Sequence, residues 1–341
     1  MYKWIFFLFA SFSAAAVSGQ PVIDSIRFFE EEGLIEMTLE TDLRELMKVS
    51  TKENTQPAAI RMRFPDSTLA DGTITVSARG NFRRSYCKIP PLSLQFRNSS
   101  APQLRSLGKL KMVLGCTATS SGEELLLKEY LIYKIYNILE DRSFRVRLLH
   151  VTYKDTKDRL KEYSQYAFLI EDDAEMARRN GCKKKDKPEK RLTETTNREM
   201  MTKVALFQYM IGNTDWAVPN NHNIRLIYDR KDKNALPFVV PYDFDYCGLV
   251  NASYATPHES VGAEKVTDRV YRGFPRSMEE LQQTLELFRN RKKAILDRIS
   301  LFERLPARAR KEMTTYLDEF FKLIENPNKV RSIFIENARS V

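Results

Sequence analysis

Two short carboxylate-bearing segments of this sequence have the residue types and spacing that phosphoryl transfer requires. The first, Gly212-Asn213-Thr214-Asp215-Trp216, follows an apolar helical run and closes on His222-Asn223 just before the strand-like Ile224-Arg225-Leu226-Ile227. The second, Pro241-Tyr242-Asp243-Phe244-Asp245-Tyr246, stands at the end of an apolar run. Moving a phosphoryl group to a hydroxyl needs a carboxylate beside the attacking oxygen and oxygen ligands for a divalent cation that offsets phosphate charge. Asp215 suits the first task, and the amide of Asn223 suits the second. Asn220, five residues after Asp215, is the alternative; Asn223 is preferred because it directly precedes the strand. Period-two geometry would put Asp243 and Asp245 on one side of a strand, where they repel unless water or a hard cation lies between them. Asp243 is therefore the first choice of metal ligand, with Asp245 as a second. Either segment alone reads as an ordinary turn or a solvated edge; their pairing across a hairpin gives them chemical meaning.

Phosphate charge also calls for a lysine held by a carboxylate. Lys111 lies in the apolar stretch 110–114, with Lys109 as a near alternative, and the helical run that follows offers Glu124 and Glu129. Glu129 is the better partner because it sits mid-helix beside the apolar stripe. The bulk charge agrees with an anionic ligand: the 341 residues carry a net charge of +10. That balance suits phosphates, nucleic acid or anionic envelope polymers. The aromatics lie on core-like stripes rather than among the Lys/Arg runs, so nucleic acid is not expected.

The elements that must position these groups follow from periodicity. Alternating apolar residues predict strands over 34–39, 59–64, 73–79, 92–96 and 110–114, in an antiparallel sheet. A helical stripe over 123–139 follows, then strands near 146–153 and 166–170. Residues 181–191, rich in Lys and Arg, read as a solvated loop. Helix returns over 196–210, a hairpin over 224–228 and 238–245, and mainly helix from 276 onward. The expected fold class is α+β: a two-lobed, atypical protein-kinase-like fold with a β-rich N-terminal half and a mainly helical C-terminal half. Its expected domains are 20–175, a β-rich lobe with one helix, and 176–341, a helical lobe with the catalytic and metal loops.

Arg79-Gly80-Asn81, Leu110-Lys111-Met112-Val113-Leu114 before the helix with Glu129, Phe168-Leu169-Ile170-Glu171, Gly212-Asn213-Thr214-Asp215 with Asn223, and Pro241-Tyr242-Asp243-Phe244-Asp245 occur in that order. In these motifs the sequence resembles the CotH kinase family of spore-coat-type atypical kinases and, more distantly, the HipA-type kinases. The motifs span about half the chain, residues 73–249. The resemblance implies ATP-dependent phosphorylation of a protein Ser or Thr, with Asp215 as base, Asn223 and Asp243 on Mg2+ (or Mn2+), and Glu171 near the adenine. No G-x-G-x-x-G loop is present, so Arg79-Gly80 is the stretch left to cover the phosphates.

Residues 1–19 have Lys3 near the start, an apolar stretch and small residues toward the end, the pattern of a secretory signal peptide. The expected location is the bacterial envelope or exterior, with an uncleaved anchor as the alternative and no later span. The expected partners are a nucleotide and an envelope or exterior protein substrate. Four cysteines, Cys87, Cys116, Cys182 and Cys247, lack CxxC spacing, which argues against zinc. Cys87 with Cys116 is the first choice of disulfide because both flank strand-like runs; buried free thiols are the alternative. Two rival functions remain: an inactive kinase-like binding module, and a calcium-stabilised envelope or adhesion protein holding Ca2+ at Asp243 and Asp245.

Overall fold

The computed structural model describes residues 23–48, 55–80, 87, 90–187 and 189–338. The expected leader, residues 1–19, and Asn81 lie outside the described residues. The N-terminal half runs α1 (Ser25–Glu30), β1 (Ile35–Thr41), α2 (Leu43–Met47), β2 (Thr55–Arg63), β3 (Leu69–Ala78), β4 (Leu92–Gln95) and β5 (Lys109–Leu114). Then come α3 (Ser120–Leu139), β6 (Val146–Asp155), β7 (Tyr163–Ile170), α4 (Asp173–Arg179) and the two-residue β8 (Cys182–Lys183). The remainder is α5 (Arg198–Ile211), β9 (Ile224–Asp229), β10 (Phe238–Pro241), α6 (Met278–Ser300), α7 (Ala307–Ile324) and α8 (Pro327–Arg331).

The two-lobed kinase-like fold expected from element order does not form. β1 pairs in parallel with β6, Ile35 opposite Leu149 and Thr41 opposite Asp155, and this closes β1-β2-β3-β4-β5-β7-β6 into a barrel. The other barrel pairings are antiparallel. Closure satisfies both sheet edges at once, a solution that alternation cannot foretell because it reports faces and not neighbours. Alternation does fill the barrel: Ile35, Met37 and Leu39 of β1 point inward with Ile60 and Met62 of β2. Phe28 and Phe29 of α1 and Leu43 and Leu46 of α2 join the same core.

A second core lies between the barrel wall and the helical part. In β7, Ala167 and Leu169 face the barrel interior, whereas Phe168 and Ile170 face α3. α3 is consequently buried around most of its circumference, from Leu126 to Leu139. Its start is fixed by Thr119, whose hydroxyl accepts from the Gly122 N–H at 3.2 Å, one turn earlier than periodicity alone indicates. α6 and α7 pack Leu285, Phe288, Leu317 and Phe320 into the same core.

Two further differences concern the middle of the chain. Cys182 is buried and pairs with Asp229 of β9, so residues 182–183, expected as part of a loop, add a third strand to the β9–β10 hairpin. β10 stops at Pro241, and residues 242–245 are not strand. Cys87 and Cys116 are joined in a disulfide, while Cys182 and Cys247 are free and buried. No helix among the described residues is long and apolar enough to cross a membrane.

Candidate active site

Asp215 is presented by a loop that its own sequence shapes. α5 ends on Gly212, whose φ of 66° is the left-handed cap conformation that glycine adopts without strain. Buried Asn213 then donates to Gln208 Oε1 at 3.0 Å and accepts the Asp215 N–H on its own Oδ1 at 2.9 Å. The carboxylate of Asp215 faces His222 Nε2 at 2.6 Å and accepts from Asn223 Nδ2 at 2.9 Å. Asn223 Nδ2 also donates to the Asp215 carbonyl at 2.8 Å, so the amide is turned with its nitrogen on Asp215. Asn223 takes φ of 50°, a conformation asparagine tolerates, immediately before β9. Asn220 instead accepts the His222 N–H at 3.2 Å inside the turn. Below the loop, the Arg272 guanidinium donates to the Thr214 carbonyl. Burial lowers the Arg272 pKa, against the opposing pull of the Asp215 charge.

Asp243 is held by the backbone rather than by strand geometry. Its φ is 64°, so the same-side arrangement expected for Asp243 and Asp245 on a strand does not apply. The Asp243 N–H donates to Tyr133 Oη at 2.9 Å, which ties the acidic loop to the centre of α3. Tyr133 is buried, and burial, with Glu129 and Asp243 nearby, pushes its phenol well above the usual range. The preceding Tyr242 N–H donates to the Asn223 carbonyl at 3.0 Å, stitching the two loops together. Asp245 is buried and accepts the Tyr254 hydroxyl at 2.9 Å.

Opposite the carboxylates stands a group of cations. Lys111 Nζ lies 3.0 Å from Asp173 Oδ1, and Arg225 Nε lies 2.8 Å from Asp173 Oδ2. Arg225 also donates to Tyr242 Oη at 2.8 Å and stacks over that ring at 4.5 Å. Burial lowers the Lys111 pKa; Asp173 opposes that, while Arg225 and Arg79 add to it. For Asp173, burial raises the pKa, but Lys111 and Arg225 outweigh it and the net direction is down.

These groups line one cleft of about 670 Å³ between barrel and helical part. It brings together Arg79, Lys111, Asp215, Asn223, Asp243 and Asp245, drawn from segments more than 160 residues apart in the chain. Glu129 and Glu171 are not among its lining residues. The carboxylate on Lys111 is Asp173, not Glu129, which is buried within α3. Glu171, also buried, lies 2.9 Å from the Arg179 guanidinium and accepts the Arg145 N–H at 3.1 Å, so it anchors α4 to the barrel wall. Sequence reading missed Asp173, Arg225, Tyr133 and His222. Asp173 belongs to the acidic run Glu171-Asp172-Asp173, whose pattern alone reads as solvated, and Arg225 is one polar residue in a strand.

Two groups of the cleft could offer oxygen ligands to a hard cation. Asp243 offers a carboxylate to the cleft with no hydrogen bond or ion pair on it among the described residues, and the Asn223 amide nitrogen is used on Asp215, leaving its oxygen. Mg2+ takes one or two carboxylates and completes its shell with phosphate oxygens and water. Among the described residues no group of three or more His, Cys, Asp or Glu side chains is placed to hold a metal ion by itself. No protein-family model matches the chain, and no curated protein matches it.

Proposed function

We propose that the protein is an exported ATP- and Mg2+-dependent phosphotransferase that acts on a protein Ser or Thr hydroxyl. The observation that carries this reading is the single cleft that sets three cations, Arg79, Lys111 and Arg225, against Asp215, Asn223 and Asp243. The reading rests on this chemistry and not on the two-lobed architecture, which the barrel replaces. Lys111, Arg79 and Arg225 would hold the phosphates, with Arg225 fixed on Tyr242 and Asp173. Asp243, Asn223 and secondarily Asp245 would hold the cation, which supplies charge neutralisation on the transferring group. Asp215, oriented by His222 and Asn223, accepts the proton of the acceptor hydroxyl as its oxygen bonds to the γ-phosphorus and the bond to ADP breaks. The Cys87–Cys116 disulfide supports an oxidising compartment and hence export.

Labelled ATP with Mg2+ and the purified protein tests this. The expected result is transfer of label to a Ser/Thr protein acceptor, reduced about 100-fold or more by Asp215→Ala with nucleotide affinity kept. Equal transfer by both proteins would remove Asp215 from the mechanism.

A further inference from the structure

A second cavity, of about 410 Å³, opens on the other side of Asp215. It shares Asp215 and Tyr246 with the cleft and is completed by Thr214, Thr256, Pro257, His258 and Glu259. Asp215 thus stands where the two spaces meet, the place a proton acceptor must occupy between a phosphoryl donor and an incoming hydroxyl. The two spaces differ in charge. Three cations line the cleft, whereas no Lys or Arg is among the described residues lining the second cavity.

The remaining groups of the cavity are poised for contact. His258 Nδ1 lies 3.2 Å from the Ser260 backbone nitrogen and 2.8 Å from the Ser260 hydroxyl, which fixes the ring at the edge of the cavity. Glu259 is exposed and forms no ion pair among the described residues. Arg272, below the Asp215 loop, spends its guanidinium on the Thr214 carbonyl and lies over the Trp216 ring at 5.7 Å.

We propose that this cavity is the acceptor subsite and that it takes a hydroxyl whose immediate neighbour in the substrate is a cationic group, held by Glu259. The proposal rests on the phosphotransferase reading and adds to it the charge class of the acceptor. On a protein with net charge +10, such a preference must come from local carboxylates and not from the overall field.

Dye-labelled short peptides with one serine between two lysines, or between two glutamates, test it by fluorescence anisotropy on the full chain at low salt. The lysine form is expected to bind about tenfold more tightly, with the preference shrinking at about 0.5 M salt. Glu259→Lys should bring the ratio to about one or invert it. Equal binding of both peptides, no binding of either, or a preference that survives Glu259→Lys would overturn the proposal. A fluorescent ATP analogue titrated in parallel keeps the two readings apart. Peptide preference without nucleotide binding would defeat the phosphotransferase reading alone, and nucleotide binding without the preference would defeat the acceptor subsite alone.

Discussion

Asp173 serves two cations at once, and this sharing separates the stability of the cleft from its use. The half-buried charge on Lys111 costs some free energy, as its lowered pKa records, because desolvation outweighs its partner. Replacing it by Met removes that cost and leaves Asp173 paired with Arg225. Lys111→Met is therefore expected to keep or raise thermal stability while lowering nucleotide affinity about 100-fold. Asp173→Asn should do the reverse to the fold, destabilising it by about 2 kcal/mol at neutral pH by leaving two cations with less compensation. The sign with pH follows from a folded-state pKa below the ordinary value: this stabilisation is present above the unfolded pKa and is lost as pH falls. Urea melts of wild type and Asp173→Asn should thus converge below about pH 4. A gap that persists there would mean that the carboxylate acts by packing and not by charge. At this scale the sequence was legible for the Asp215 and Asn223 loop, which is built from neighbours in the chain, whereas Asp243 was picked out by type but its left-handed geometry depends on Tyr133, 110 residues away. It was not legible for the Lys111 partner, because a carboxylate 62 residues away wins over one on the next helix only once the barrel has formed.

Between elements, the disulfide does the work that hydrogen bonds do elsewhere. Cys116 lies between the end of β5 and the start of α3, and Cys87 lies on the connection from β3 to β4, which also supplies Arg79, Gly80 and Pro91 to the cleft wall. The crosslink spans 29 residues, so in the chain-entropy account it should contribute roughly 3.6 kcal/mol. Cys87→Ser with Cys116→Ser, or reducing agent on the wild type, is expected to lower stability by that order and by similar amounts. Because the tether holds the stretch that carries Arg79, nucleotide affinity should fall as well. Melting curves and nucleotide titrations with and without reductant check both, and a reductant effect in the double variant would point to a different thiol. Strands and helices were visible as periods of two and 3.6, and the Cys87–Cys116 pair as ends of neighbouring strands. The 182–183 strand was hidden because its two residues lie in a charged run and gain their place only by pairing with β9.

For the whole molecule, the decisive feature is that β5, β7 and β6 are buried on both faces, so one wall serves the barrel core and the helical core together. Adjacent residues of β7 therefore belong to different cores with different consequences for function. Phe168 packs against Tyr133 at 5.6 Å between ring centres, and Tyr133 in turn contacts Phe244 at 4.7 Å and accepts the Asp243 N–H. Leu169, its neighbour, points into the barrel, away from that chain of contacts. Both side chains are fully buried, so truncating either to Ala should cost about 3–5 kcal/mol. The functional outcomes should diverge. Phe168→Ala frees the Tyr133 ring to shift, unseats the left-handed Asp243 and weakens the dependence of nucleotide binding on Mg2+. Leu169→Ala leaves that dependence unchanged at temperatures where both variants are folded. Mg2+ titrations of nucleotide affinity for the two variants, matched for fraction folded, measure the difference, and equal behaviour would show that the acidic loop is set without α3. The same double burial explains why the barrel escaped sequence reading: β7 is nearly continuous in apolar residues where it meets α3, so its pattern names neither core, and only the parallel pairing of β1 with β6 decides that the sheet closes.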